Sequence, residues 1–172
     1  MADNPALLPQ RIALALPASV RTAANYATAW HSQPLFTMSD DQAAKIKASI
    51  AIAQQDLVEL FRPTDPKEVV EFMARLATRR NIDLPPAPDL AADALAISSK
   101  LPADLFNLAC QRLWTDFAYR RLPEPSDFTN SVADLLEIRT TAQAKIHNME
   151  MRLASRQILK EKSSSRRSAQ RG

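Results

Sequence analysis

Residues 101–136 read LPADLFNLACQRLWTDFAYRRLPEPSDFTNSVADLL and hold the clearest structural signal in the sequence. They predict a helix that starts at Pro102, because a proline in the first turn removes only an N–H that has no intrahelical partner. Pro123 stops this helix, since the residue before a proline is disfavoured in the α conformation. A second helix follows, capped by Ser126 or a residue beside it. Apolar residues at helical spacing here and earlier in the chain predict a core built around Phe72, Phe106, Leu113, Phe117, Phe128 and Leu135.

The composition favours an all-helical protein. The 172 residues include twelve prolines but a single glycine, Gly172. Without internal glycine the chain lacks the phosphate-binding turns of a P-loop or a dinucleotide-binding motif and the Asn-Gly or Asp-Gly turns of short β-hairpins. Hydrophobic residues at 46% and charged residues at 24% are typical of a globular protein. We therefore predict an all-α fold, a helical bundle of about five to seven helices with a long, basic C-terminal helix and a disordered tail.

Helix starts are readable in the first half of the chain. Ser39 followed by Gln42 matches a capping box, so a helix is expected to begin there and run to about Phe61. Thr64 is expected to cap the next helix. Its basic end, Arg79-Arg80, complements the helix dipole and is not assigned to a binding site. Shorter helices are predicted over 17–30 and 89–99.

Three segments are predicted along the chain. Residues 1–16 contain two prolines among small and polar residues and are expected to form a mobile arm. Residues 17–138 form the helical body, with a stiff proline-rich connector at 84–88. Residues 139–172 form an extended basic helix and a tail. The tail, from Ser163 onward, has no apolar surface to bury and is predicted to be disordered.

The helical pattern that begins after Pro125 continues without glycine or proline until Gly172. Near-heptad spacing of apolar residues is typical of a coiled-coil seam. The sequence leaves two interpretations open: self-association through this seam, or a long helix packed along its own domain. The candidate oligomerisation residues are Ile138, Ala142, Ile146, Met149 and Leu153.

The basic residues are concentrated at the C-terminal end. From residue 139 onward nine basic residues face two acidic ones, a net charge of +7, whereas the whole chain carries +3 and residues 1–138 therefore carry −4. Basic arms of this kind bind phosphate backbones by releasing counterions. The alternatives are a solvated tail or contact with an acidic protein or membrane surface. The candidate nucleic-acid-binding residues are Arg152, Arg156, Lys160, Lys162, Arg166, Arg167 and Arg171.

No catalytic or cofactor signature accompanies these features. The two histidines, His31 and His147, are far apart in sequence, and Cys110 is the only cysteine, so no metal-site spacing is present. Cys110 lies within an apolar helical pattern and is interpreted as a packing residue. No stretch has the roughly eighteen uninterrupted apolar residues of a membrane span. The sequence thus favours a cytoplasmic protein that is not an enzyme and holds no cofactor or metal.

The pattern LPADLFNLACQRLW, followed by RRLPEPSDF, resembles one found in small helical phage and prophage replication proteins. There a helix begins after a Leu-Pro or Trp-Pro step, carries an Ala and a Trp, and leads through a Pro-bracketed turn into another helix. Phage helicase loaders are the nearest group. The resemblance covers about a fifth of the chain, and only the ATPase-free type fits, since no ATP-binding loop is present. It implies a replicative helicase as partner and single-stranded DNA nearby.

The residues that match this resemblance are Trp114, Phe117, Tyr119, Arg120 and Arg121. We take Trp114, Tyr119, Arg120 and Arg121 as candidate partner-binding residues, with core aromatics and a basic helix end as the other interpretation. The sequence thus predicts a non-catalytic adaptor or loader in a protein–nucleic-acid assembly. The alternatives are a self-associating structural protein and an inhibitor of a host nuclease or nucleic-acid-binding protein.

Overall fold

The computed structural model describes residues 15–169, with side chains to residue 165. This part of the chain is all-α, as predicted, and contains no β-strand. A short 3-10 turn spans Leu35–Thr37. The α-helices are α1 (Ala18–Trp30), α2 (Asp40–Leu60), α3 (Pro66–Arg80), α4 (Ala87–Ser98), α5 (Ala103–Asp116), α6 (Pro125–Ser131) and α7 (Ala133–Ala169).

The chain divides into two compact units. Within the described residues, the first unit comprises 15–57 and 138–169, and the second comprises 58–137. The predicted organisation grouped residues 17–138 in one body, whereas this division places most of α7 with α1 and α2. Residues 1–14 of the predicted arm lie outside the described residues, while its last two residues, Ala15 and Leu16, are buried.

In the first unit α1, α2 and α7 pack together through one buried stripe each. The stripes contain Val20, Ala23, Ala24 and Ala27 on α1, Ile46, Ile50, Ala53 and Leu57 on α2, and Ala142, Ile146 and Met149 on α7. Polar side chains join each pair of helices. The Ser19 hydroxyl donates to Asp56, Gln54 Nε2 donates to Glu150 Oε1 at 2.9 Å, and Arg152 reaches the end of α1.

In the second unit the core is aromatic. Phe72 of α3 meets Phe106 of α5 edge-to-face, with ring centroids 6.3 Å apart, and meets Phe128 of α6 at 5.7 Å. Phe106 and Phe128 stack at 5.8 Å. Such pairs add to the free energy gained from apolar burial. All six predicted core residues are buried, so the helical periodicity identified this core.

The helix starts partly match the sequence-based predictions. The capping box at α2 is confirmed: Ser39 N–H donates to Gln42 Oε1 at 2.8 Å, and Gln42 N–H donates to Ser39 Oγ at 3.1 Å. The prediction that Thr64 caps α3 was wrong. Asp65 is the cap and accepts from the Lys67 N–H, while the buried Thr64 hydroxyl donates to the Leu101 carbonyl at 2.7 Å. Thr64 therefore serves a long-range contact instead of its own helix.

Two further helix boundaries differ from the prediction. Helix α5 ends at Asp116, not at Pro123, and residues 117–123 form a connection that still buries Phe117. The expected single helix from Ser126 is interrupted at Val132, a buried residue with φ −128° and ψ 18°. Just before this break, Arg112 Nη1 donates to the Ser131 carbonyl, so a side chain from α5 satisfies a carbonyl at the end of α6. Helix α7 then runs to Ala169, so residues 163–169 of the tail that was predicted to be disordered have a helical backbone.

We expect Phe106→Ala to lower the free energy of unfolding by about 3–5 kcal/mol, because it removes a ring that packs against two others and leaves a cavity. Urea denaturation followed by circular dichroism measures this change. Phe36→Ala is the matched control, since Phe36 is 87% exposed and its truncation should change stability by less than about 0.5 kcal/mol. Equal effects of the two substitutions would contradict the assignment of the core.

Candidate functional site

Three predicted nucleic-acid-binding residues, Arg152, Arg156 and Lys160, lie on one face of α7, and all three already have partners within the first unit. Arg152 donates to the carbonyls of Trp30 and His31 and, at 2.6 Å, to that of Gln33. These carbonyls belong to the end of α1 and the residues after it, where backbone acceptors lack intrahelical donors. Arg152 thus caps α1 from a position more than a hundred residues away.

Arg156 and Lys160 converge on Asp40 at the start of α2. Arg156 Nη2 lies 2.7 Å from Asp40 Oδ1 and also donates to the Met38 carbonyl at 2.7 Å, and Lys160 pairs with the same carboxylate oxygen. Hydrogen bonds from Lys160 and then Arg156 lower the pKa of Asp40 below its ordinary value. The two cations are therefore partly neutralised within the fold.

Of the other four candidates, Lys162 alone has a described side chain. Lys162 is exposed and has no hydrogen-bond or ion-pair partner there. Arg166 and Arg167 belong to α7 by their backbone, but their side chains lie outside the described residues, as does Arg171 altogether. Among the seven candidates, Lys162 is therefore the one whose described side chain is left without a partner.

The five candidate oligomerisation residues are mostly inside the protein. Ala142, Ile146 and Met149 are buried in the first unit, and Ile138 and Leu153 are half-buried. Of the two interpretations that the sequence left open, the described structure adopts the second, in which the seam packs along its own domain. These residues present no continuous surface to a second copy in this conformation.

A cleft of about 750 Å³ runs between α2 and the C-terminal half of α7. The helices are antiparallel here, because Asp40 pairs with Lys160 while Gln54 pairs with Glu150. Ile158 is 52% exposed, and Lys47, Glu150 and Glu161 contribute charges to the lining. The apolar part of the lining consists of Ala43, Ala44, Ile50, Ala51, Leu153, Ala154 and Ile158.

In the second unit, α3 and α5 bring arginine and aromatic side chains together. The Arg79 guanidinium lies over the Trp114 ring, 4.3 Å from its centroid, and Nη1 donates to the Trp114 carbonyl at 3.4 Å. The indole ring of Trp114 also packs, in a tilted orientation, against the core ring of Phe72, with the ring centroids 6.3 Å apart. Trp114 is still 36% exposed. It therefore joins the aromatic core to the surface.

The connection after α5 extends this cluster. Arg80 donates to the carbonyls of Phe117 and, at 3.0 Å, Tyr119, and its guanidinium lies 5.2 Å from the Phe117 ring. Arg121 lies 5.3 Å from the Phe117 centroid and 5.2 Å from the Tyr119 centroid. The Tyr119 side chain is itself 63% exposed. We call this set the arginine–aromatic surface: Arg79, Arg80, Trp114, Phe117, Tyr119, Arg120 and Arg121.

An ion pair holds the far end of this surface. Arg121 contacts Asp127 with both terminal nitrogens, at 2.7 Å and 3.3 Å. The Asp127 carboxylate also accepts the Glu124 N–H at 2.7 Å, at the start of α6. The hydrogen bond from Arg121 lowers the pKa of Asp127, and this outweighs the opposing effect of its partial burial. The bidentate contact with Asp127 holds Arg121 beside the rings of Phe117 and Tyr119.

Of the four residues predicted to bind a partner, Trp114, Tyr119 and Arg121 are joined through the contacts of this surface, and Arg120 is exposed beside Tyr119 and Arg121 in the chain. Sequence reasoning missed Arg79 and Arg80, because a helix dipole was a sufficient explanation for two basic residues at the end of α3. No local pattern showed that both side chains reach residues 114–119, which lie 35 to 39 positions later.

The described residues contain no candidate metal cluster, and their one cysteine is not activated. Among them no group of three or more His, Cys, Asp and Glu side chains is placed to hold a metal ion. Burial raises the pKa of the Cys110 thiol to about 12, so the reactive thiolate is disfavoured. Over the same part of the chain, every helix is too short or too polar to span a bilayer.

Comparison with known proteins gave no match. No family model, no curated protein and no solved structure is significantly similar to this chain.

We expect Arg152→Ala to lower the free energy of unfolding by about 1–3 kcal/mol, because the carbonyls at the end of α1 lose a charged donor. Chemical denaturation followed by circular dichroism measures this. Lys145→Ala is the matched control on the same helix, since Lys145 is exposed and has no partner among the described side chains. If Arg152→Ala is as stable as the control, Arg152 does not cap α1 in solution.

Proposed function

We propose that this protein is a non-catalytic adaptor that acts in a protein–nucleic-acid assembly. The observation that carries the proposal is the arginine–aromatic surface, where two exposed rings lie beside arginines. Among the described residues Arg79, Arg80 and Arg120 have no carboxylate partner, whereas Arg121 is paired with Asp127. A monomer gains little from exposing such groups together, and they are enriched where proteins contact partners. The basic C-terminal end of α7 offers a second contact, suited to a phosphate backbone.

The specific form of this proposal is helicase loading in phage DNA replication. It is supported by the resemblance of residues 101–136 to small phage replication proteins, because that segment contributes Trp114, Tyr119, Arg120 and Arg121 to the arginine–aromatic surface. The direct test is retention of a purified replicative helicase by the immobilised protein. Failure with helicases from several phage hosts would reject helicase loading while leaving the broader adaptor role open.

The C-terminal basic residues should bind duplex DNA with a steep salt dependence and no sequence preference. If Lys162, Arg166, Arg167 and Arg171 each neutralise one phosphate, the log–log slope of affinity against salt should be roughly −3.6 for duplex DNA. Fluorescence anisotropy with a labelled duplex measures this slope. Replacing all four residues by Gln should remove most of the affinity.

A control variant with the same change in net charge separates this contact from general electrostatics. Lys45, Arg62, Lys67 and Lys100 are exposed, and their side chains have no partner among the described residues. Replacing these four by Gln should leave most of the duplex affinity. Equal losses in the two variants would show that net charge alone attracts DNA, and unchanged affinity in both would remove the C-terminal contact from the proposal.

Self-association is a second candidate function. The interface would then be the cleft between α2 and α7, not the predicted seam. Its apolar lining is partly exposed, and its rim carries both Lys47 and the acidic pair Glu150 and Glu161. A rim with both signs of charge can be complementary to itself across a two-fold axis. The occupant would be the same face of a second copy.

Under this candidate, Ile158→Glu should abolish a concentration-dependent dimer, because it places a charge in the apolar contact. Sedimentation measurements over a range of protein concentrations give the mass. Leu159→Glu is the control, since Leu159 is 63% exposed and lies outside the cleft, and it should leave the dimer intact. A wild-type monomer at every concentration would reject self-association.

A further inference from the structure

We propose that the arginine–aromatic surface binds single-stranded nucleic acid, with bases stacked on Tyr119 and on the Arg79–Trp114 pair and phosphates held by Arg79, Arg80 and Arg120. This inference rests on the proposed function and names the ligand class of one of its surfaces. It also differs from the expectation for the C-terminal arm, which has no aromatic side chains and binds through charge alone.

Most of the guanidinium charge on this surface is not cancelled by a carboxylate. Arg79 and Arg80 donate to neutral backbone carbonyls, and neither has a carboxylate within ion-pair distance among the described residues. Arg120 is exposed and has no partner there at all. Only Arg121 is paired with acids, Asp127 at 2.7 Å and Glu124 at 3.6 Å. Because hydrogen bonds to neutral groups leave the positive charge uncancelled, this surface attracts an anion.

Partly exposed aromatic rings are the second feature of this surface. Tyr119 and Trp114 both expose part of an aromatic ring beside these charges. Each ring already has a guanidinium on it, from Arg121 and Arg79 respectively. A flat ligand can stack on an exposed ring or on the outer face of a guanidinium that covers a ring, and base–aromatic stacking of this kind is tolerant of sequence.

The residues of this surface are also held in place by contacts within the second unit. The backbone of residues 117–119 is held by Arg80 through two carbonyls. Arg121 is held by the bidentate contact with Asp127, and Phe117 meets Tyr119 edge-to-face at 5.2 Å. Since these side chains are ordered before any ligand arrives, binding costs less conformational entropy than it would at a loose loop.

A ligand that is both anionic and flat is a nucleotide, and the accessible form is the single strand. In a duplex the bases are paired and stacked on one another, so protein rings cannot reach their faces without unstacking them. An acidic peptide would satisfy the arginines but supplies no flat partner for the rings. The combination of uncancelled charge and exposed rings therefore favours single-stranded nucleic acid over an acidic protein segment.

The test compares Tyr119→Ala with Phe36→Ala in the full-length protein. Fluorescence anisotropy at low salt uses labelled oligo(dT) as the single-stranded probe and a labelled hairpin as the duplex probe. Tyr119→Ala should weaken oligo(dT) binding by about 5- to 150-fold, the range measured for loss of one base–aromatic stack, and should change hairpin binding by less than twofold. Phe36→Ala removes a still more exposed ring from the first unit and should change neither. Tyr119→Phe keeps the ring and should restore the single-strand affinity.

Three outcomes would overturn the inference. If the Tyr119→Ala variant binds oligo(dT) within twofold of the wild-type affinity, bases do not stack on this ring. Equal affinity of the wild type for oligo(dT) and the hairpin would leave only the charge-based contact of the C-terminal arm, and the broader proposed function would stand. Binding of labelled poly-glutamate, but not oligo(dT), with dependence on Tyr119 would assign the surface to an acidic protein. A fourth outcome, no binding to either nucleic acid at low salt, would overturn the inference and would also reject the nucleic-acid part of the proposed function.

Discussion

The interaction on which most of this structure depends is the hydrogen bond from an arginine guanidinium to a distant backbone carbonyl. A chain without internal glycine cannot end its helices with the usual left-handed glycine, and among the described residues only Asn81 adopts a positive φ. Asn81 closes α3 in this way. Elsewhere arginines supply donors to carbonyls at or beyond helix ends: Arg152 after α1, Arg80 after α5 and Arg112 at the end of α6.

These contacts also determine where the positive charge remains available. In the first unit Asp40 lies next to Arg156 and Lys160, so a carboxylate offsets the basic face of α7. In the second unit Arg79 and Arg80 bond to carbonyls, which have no net charge, and the guanidiniums remain electropositive. A carboxylate therefore offsets part of the positive charge on the face of α7, whereas the carbonyls bonded to Arg79 and Arg80 leave the charge of these guanidiniums in place.

The proposed adaptor role follows from this distribution rather than from any single motif. A binding protein needs groups that are exposed, ordered and incompletely satisfied by the fold itself. The arginine–aromatic surface meets these conditions, because its rings pack at the edge of an aromatic core and its arginines are held by backbone carbonyls and by Asp127. Under the proposed role, this surface on the second unit and the basic end of α7 on the first would be two contacts for an assembly.

The sequence by itself determined the all-helical class, the buried stripes, the capping box at Ser39 and the aromatic core, because helical periodicity and caps are encoded within a few neighbouring residues. It also singled out Trp114, Tyr119 and Arg121, which the structure joins to Arg79 and Arg80. It did not determine that Arg79 and Arg80 belong with them, that Thr64 bonds to Leu101 instead of capping α3, or that Arg152 caps α1 across 122 positions of sequence. Only the tertiary structure decided these, because a long polar side chain bonds to whichever acceptor the packing of the helices brings within about 3 Å, and no local pattern records that distance.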